Sequence, residues 1–189
     1  MKRTLSAAAI LFVLLSGCRD IDEKKSAVVA AEAVHEHQPV ESQTPYFYGL
    51  IEEYQTVLAE DPSNLAAVIG LGNAYFDSGA WRDAIARYER ALKLDPRNAD
   101  VRTDMGTCYR YLGMPERALA EYRRALEYEP GHLNARYNMG IVYAYDMKNY
   151  TVAIHIWQEL LRLSPNHPHA DYMRMCITTF RKTLRKAGS

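Results

Sequence analysis

The chain has 189 residues, 48% of them hydrophobic and 24% charged, enough for one folded domain with a tail and ordinary for a globular protein. Lys plus Arg equal Asp plus Glu at 23 each, and without the first 17 residues the balance is −2, which argues against nonspecific nucleic-acid or anionic-membrane binding. The cysteines, Cys18, Cys108 and Cys176, are far apart with no CxxC, a spacing that supports no zinc site, c-type haem attachment or thioredoxin-like redox pair.

Residues 1–17 read as a targeting segment, with Lys2 and Arg3 ahead of an apolar run of 11 residues, Leu5 to Leu15. That run is too short for a spanning helix, which needs about 20 apolar residues, and suits a secretory signal core. It ends in Leu15-Ser16-Gly17-Cys18, which resembles the lipobox of bacterial lipoproteins. The resemblance implies cleavage before Cys18 and acylation of its thiol, a lipid anchor that holds at about 0.8 kcal/mol per buried CH₂. The alternative is an ordinary secretory signal with an incidental cysteine. Arg19, rather than an Asp, follows the cysteine; by the lipoprotein rule this favours the periplasmic face of the outer membrane over inner-membrane retention, in a source that has one.

From Cys18 to Pro45 the lipidated residue is followed by a flexible linker rich in Ala, Glu, Lys and Gln, with Pro39 and Pro45 and no sustained apolar period. His35 and His37 lie there without further nearby ligands and read as solvated rather than metal-binding. Residues 46–64 begin the folded part with one amphipathic helix, Tyr46 to Glu60.

Residues 65–98 and 99–132 then write one 34-residue pattern twice. Gly stands at the eighth place (Gly72, Gly106), Tyr at the eleventh (Tyr75, Tyr109), Ala at the twentieth (Ala84, Ala118), Tyr at the twenty-fourth (Tyr88, Tyr122), Ala at the twenty-seventh (Ala91, Ala125) and Pro at the thirty-second (Pro96, Pro130). Period, residue type and order resemble the tetratricopeptide repeat, a helix–turn–helix unit that stacks into a right-handed, all-α solenoid. Helices are expected near 65–78 and 81–94, stopped by Gly79, with the same plan in the second copy, where Gly113 is the stop and Pro115 opens the second helix. Gly72 with Ala84, and Gly106 with Ala118, are placed for close helix approach, and the tyrosines fill the gaps around them.

Leu50, Tyr54 and Val57 fall at the twentieth, twenty-fourth and twenty-seventh places of a preceding unit, so the helix at 46–60 reads as a second helix whose first is missing. A third copy, 133–167, keeps Gly140 and Tyr143 but brings Ala153 one place late, followed by Trp157, Leu160 and Pro165. The inserted residue is assigned to a longer turn, Asp146-Met147-Lys148-Asn149. Residues 168–189 read as a capping helix in which Tyr172, Met173, Cys176, Ile177 and Phe180 cover the third copy and a basic end complements the helix dipole. Cys108 and Cys176, on well-separated helices, are expected as buried free thiols.

No GxSxG, HExxH, Walker loop or GxGxxG is present, so an enzyme is not expected, nor a cofactor, metal, nucleic-acid partner or small-molecule substrate. The resemblance implies a concave groove lined by first-helix places 2, 5, 9, 12 and 13. Carried over, these are Ile69, Asn73, Phe76 and Asp77 with Ala66; Thr107, Arg110 and Tyr111 with Asp100 and Thr103; and Tyr137, Ile141 and Tyr145 with Asn134 and Ala144. Tyr111, Tyr137 and Tyr145 lie outside the repeat consensus, and both binding and internal packing are open to them. The family's clamp for a peptide carboxylate needs Lys at place five; Ile69 stands there, although Asn73 fits place nine. The implied function is a membrane-anchored adaptor that holds a partner peptide or helix in a pilus, secretion, outer-membrane or cell-wall assembly, with a self-associating structural lipoprotein as the alternative.

Overall fold

A computed structural model describes residues 44–187 and side chains from Tyr46 onward, all within the unit Glu36–Ser189. The signal segment, Cys18 and the His35/His37 pair lie outside the described residues. Those described form eight α-helices and no strand: α1 (Thr44–Glu60), α2 (Leu65–Asp77), α3 (Trp81–Leu94), α4 (Ala99–Tyr111), α5 (Pro115–Tyr128), α6 (Leu133–Ile141), α7 (Tyr150–Leu163) and α8 (Ala170–Ala187). Each packs against the next, giving an all-α solenoid of antiparallel helix pairs, α2/α3, α4/α5 and α6/α7, between α1 and α8. Among the described residues no helix is long and apolar enough to cross a membrane.

The helix ends are chemically local. Asn64 and Asn98 turn their side-chain oxygens onto the amides of Ala67 and Val101, each at 3.0 Å, and so satisfy an orphan donor of the first turn. One repeat on, His132 does the same with Nδ1, accepting from the Ala135 amide at 3.1 Å. His167 falls at the same register, and its Nδ1 accepts from the His169 amide at 3.1 Å ahead of α8. His132 therefore takes the place of a capping asparagine, a role that its residue type did not suggest, while the His167 bond closes the turn ahead of α8. Gly79 and Gly113, at φ +79° and +72°, close α2 and α4 in the left-handed conformation that glycine adopts without a Cβ clash.

The third copy departs from the expected turn. The connection from first to second helix is three residues in every copy: 78–80, 112–114 and 147–149. The extra residue is instead taken up inside the first helix, where Val142–Asp146 widens into a π-helical turn and the Met147 amide donates to the Val142 carbonyl at 3.0 Å. Absorbing it there keeps the short turn and its left-handed closing residue, now Lys148 at φ +54° in the role of Gly79 and Gly113. A lysine in that conformation carries a Cβ–carbonyl clash worth about 1–2 kcal/mol. Lys148→Gly is expected to raise the urea midpoint by the equivalent of about 1 kcal/mol, part of the relief being returned to unfolded-state entropy; an unchanged or lower midpoint would show Lys148 to be unstrained.

Candidate functional site

The inner face is set by how tightly each first helix meets its second. The twenty-fourth residue of the first two copies, Tyr88 or Tyr122, and its counterpart one place later in the third, Trp157, are each at most 1% exposed. The ring lies over the glycine at place eight: a Cβ on Gly72, Gly106 or Gly140 would come within 2.7, 2.6 and 2.0 Å of the respective ring. The close approach expected of the Gly–Ala pairs is thus chiefly glycine under an aromatic ring, with the Ala118 carbonyl 3.2 Å from a Cβ on Gly106. Each ring also carries a hydrogen-bonding group to the first helix. The Tyr88 hydroxyl donates to Asn73 Oδ1 at 2.8 Å, Tyr122 Oη pairs with Thr107 Oγ1 at 3.1 Å, and Trp157 Nε1 donates to the Tyr137 carbonyl at 3.2 Å. Burial raises the pKa of both tyrosines, so each remains a neutral hydroxyl.

The predicted groove residues fall into two groups. On α2 and α4 they stay at the surface: Asn73, Asp77 and Asp100 are exposed, and Ile69, Phe76, Thr107, Arg110 and Tyr111 are half-buried. Tyr111 stacks on Trp81 at 5.0 Å between ring centres and leans on Phe76 at 6.1 Å, while Thr103 is buried with its hydroxyl donating to the Ala99 carbonyl. In the third copy the arrangement differs. Ile141, only 5% exposed, is a core residue and not a groove residue. Tyr145, carried round by the π-helical turn, sets its hydroxyl 2.6 Å from that of Tyr172 and 3.4 Å from Cys176 Sγ, and meets the Phe180 ring edge-on. Tyr137 stacks on His169 at 4.5 Å and its hydroxyl is pushed up to about 12 by burial. Tyr137 and Tyr145 thus tie the closing helix and its approach to the third copy, a packing role that their linear register could not separate from binding.

Two charged groups stand beside the groove that the repeat register did not single out. Asp146, placed by the π-helical turn, pairs with Arg110 at 2.6 Å and bridges α4 to the third copy. The Asp104 carboxyl is raised to about 6, first by burial and then by the neighbouring Asp100 and Asp77 charges, against the opposing His132. Asp100 itself lies 2.9 Å from His132 Nε2. Among the described residues no group of three or more His, Cys, Asp or Glu side chains is arranged to hold a metal ion. Cys108 and Cys176 are buried free thiols, and burial raises both pKa values, Cys108 to about 12.

Two family models match along this stretch, one described as TPR repeat over residues 72–110 and one as tetratricopeptide repeat over 103–168. The chain carries tetratricopeptide repeats. Solved TPR structures resemble it over most of its length. A structure of MamA covers 90% of this chain and 98% of its own at 21% identity and a TM-score of 0.61. The first TPR of Spaghetti (RPAP3), bound to the HSP90 peptide SRMEEVD, covers 66% of this chain and 96% of its own at 20% identity and a TM-score of 0.59. TTC0263, a thermophilic TPR protein of Thermus thermophilus, covers 74% and 75% at 19% identity and a TM-score of 0.61. At these identities the likeness is one of TPR fold. No curated protein matches the chain.

Proposed function

We propose that the protein is a non-catalytic adaptor that holds a segment of another protein along its TPR inner face while a lipid on Cys18 tethers it to a bacterial envelope membrane. The observation that carries the binding reading is the surface of α2 and α4, where exposed Asn73, Asp77 and Asp100 stand beside half-buried Ile69, Phe76 and Tyr111 on helices locked by buried aromatic rings. Such a mixed, preorganised strip suits an extended peptide or a partner helix. The carboxylates of Asp77, Asp100 and Asp104 favour a segment carrying a basic residue. The RPAP3 domain supports peptide capture as something this fold does. A carboxylate clamp is not part of the proposal, because Ile69 offers no cation and Asn73 Oδ1 is taken by Tyr88. The tether rests on the Lys2–Cys18 signal pattern, and its service to pilus, secretion, outer-membrane or cell-wall assembly follows from that address.

The test is capture of partners from solubilised envelope by the full chain. Asp77→Lys with Asn134→Lys on first helices is expected to lose the partner at least about tenfold, while Glu127→Lys, exposed on a second helix, keeps it. Undiminished capture by the first variant would sink the inner-face assignment. Labelled fatty acid is expected on the parent and absent from Cys18→Ala; continued labelling would remove the anchor.

A further inference from the structure

On the inner face the joints between repeats are built to one plan. Counted back from the three-residue turns, Asp146 ends the first helix of the third copy as Asp77 and Tyr111 end theirs. The linear count puts Tyr145 at that place, so the π-helical turn has moved Asp146 into it. The residue before the last of one first helix then meets the last residue of the next. Phe76 leans on Tyr111 at 6.1 Å between ring centres, and Arg110 pairs with Asp146. At this contact the first joint is apolar and the second ionic.

The ionic joint consumes a group that the inner face has only once. Arg110 Nε donates to Asp146 Oδ2 at 2.6 Å and Nη2 to Oδ1 at 3.4 Å, with the two side chains 12% and 27% exposed. The side-on edge of the guanidinium, which would otherwise grip a carboxylate arriving in the groove, is thus held from within the chain. Among the groove places of the three repeats Arg110 is the only lysine or arginine, against the carboxylates of Asp77 and Asp100. Asp104 adds a further carboxyl beside them, raised by burial and then by the Asp100 and Asp77 charges. With Arg110 neutralised, no lysine or arginine at those places is left to attract an acidic segment.

We propose that Asp146 sets the charge of the segment this protein accepts: by holding Arg110 it withdraws the inner face's one guanidinium from acidic segments and leaves a face selective for a segment carrying lysine or arginine. This rests on the inner-face binding reading and adds to it the residue that decides specificity. The device works by exclusion as much as by attraction, since a glutamate in the groove meets Asp77, Asp100 and Asp146 with no free cation to offset them. Asp146 acts through Arg110 and needs no contact with the partner. Its place follows from the extra residue of the third copy, which a lengthened turn would have left away from Arg110.

Fluorescence anisotropy on the full chain carrying Cys18→Ala tests this with two labelled ten-residue peptides that differ only in bearing three lysines or three glutamates. The parent is expected to bind the lysine peptide at least about tenfold more tightly than the glutamate peptide. Asp146→Asn, which keeps the shape and removes the charge, narrows that ratio about tenfold, chiefly by a gain for the glutamate peptide. Adding Arg110→Gln to it abolishes the gain, because the freed guanidinium is what supplied it. A ratio unchanged in Asp146→Asn overturns the proposal, as does a gain that survives in the double variant, which would mean that Asp146 acts by its own charge alone. A parent that binds neither peptide, or binds the lysine peptide undiminished in Asp77→Lys with Asn134→Lys, instead refutes the inner-face reading and the proposal with it. Should Asp146→Asn fail to fold, Arg110→Gln alone decides: it frees the Asp146 carboxylate and is expected to tighten the lysine peptide several-fold, and unchanged or weaker binding refutes the proposal.

Discussion

Ala118→Glu is expected to lower the melting temperature by about 8–16 °C relative to the parent chain, followed by circular dichroism. Ala118 is 0% exposed, and its carbonyl lies 3.2 Å from where a Gly106 Cβ would stand, so the two helices of the second repeat leave no room for a longer side chain. A carboxylate there is both oversized and without a cation, a combination that costs about 4 kcal/mol. For a protein of this size each kcal/mol moves the midpoint by about 2–4 °C. Ala84, also 0% exposed at the same register, is expected to respond alike. Because the repeats are coupled only through their neighbours, damage to the middle unit separates the outer ones and broadens the transition. Melting like the parent's in either variant would show that the repeats do not pack through these places.

Trp157→Ala removes the largest fully buried side chain of the third repeat, and a loss of about 3–5 kcal/mol is expected from the cavity alone. It also leaves the Tyr137 carbonyl without its Nε1 donor and strips a ring from the aromatic group that includes Tyr172 and Phe180. The consequence is local before it is global, because Tyr172 and Phe180 of α8 pack on this ring. Cys176, 1% exposed, is expected to react with a thiol reagent at least about tenfold faster than in the parent, while Cys108, in the core of the first two repeats, keeps its protection. Equal protection of Cys176 in variant and parent would show that Trp157 does not hold the closing helix.

Much of the fold was legible because it is encoded by neighbours in the chain. Pro96 and Pro130 end second helices, Gly79 and Gly113 end first helices, and Pro115 opens α5, all through backbone chemistry that acts within a turn. The capping histidine was less legible. Nothing in a lone His132 distinguishes it from a solvated turn residue until the period aligns it with Asn64 and Asn98, and that alignment was the signal that could have found it. For the inner face, register names helices and places, but it cannot say which neighbour a side chain meets. Phe76 and Tyr111 belong to one aromatic group with Trp81, whereas Ile141 at a nominal groove place is enclosed.

By itself, then, the 34-residue period determined that this is a stack of helix pairs, where the helices of the first two copies start and stop, and which small and aromatic residues recur between them, since these depend on contacts within a unit and between identical units. Only the tertiary structure decided the outcome where that identity fails. An extra residue in the third copy can lengthen a turn or widen a helix, and the period alone does not say which. Packing settled it: the widened helix brings Asp146 to Arg110 and Tyr145 to Tyr172, which a lengthened turn would leave apart.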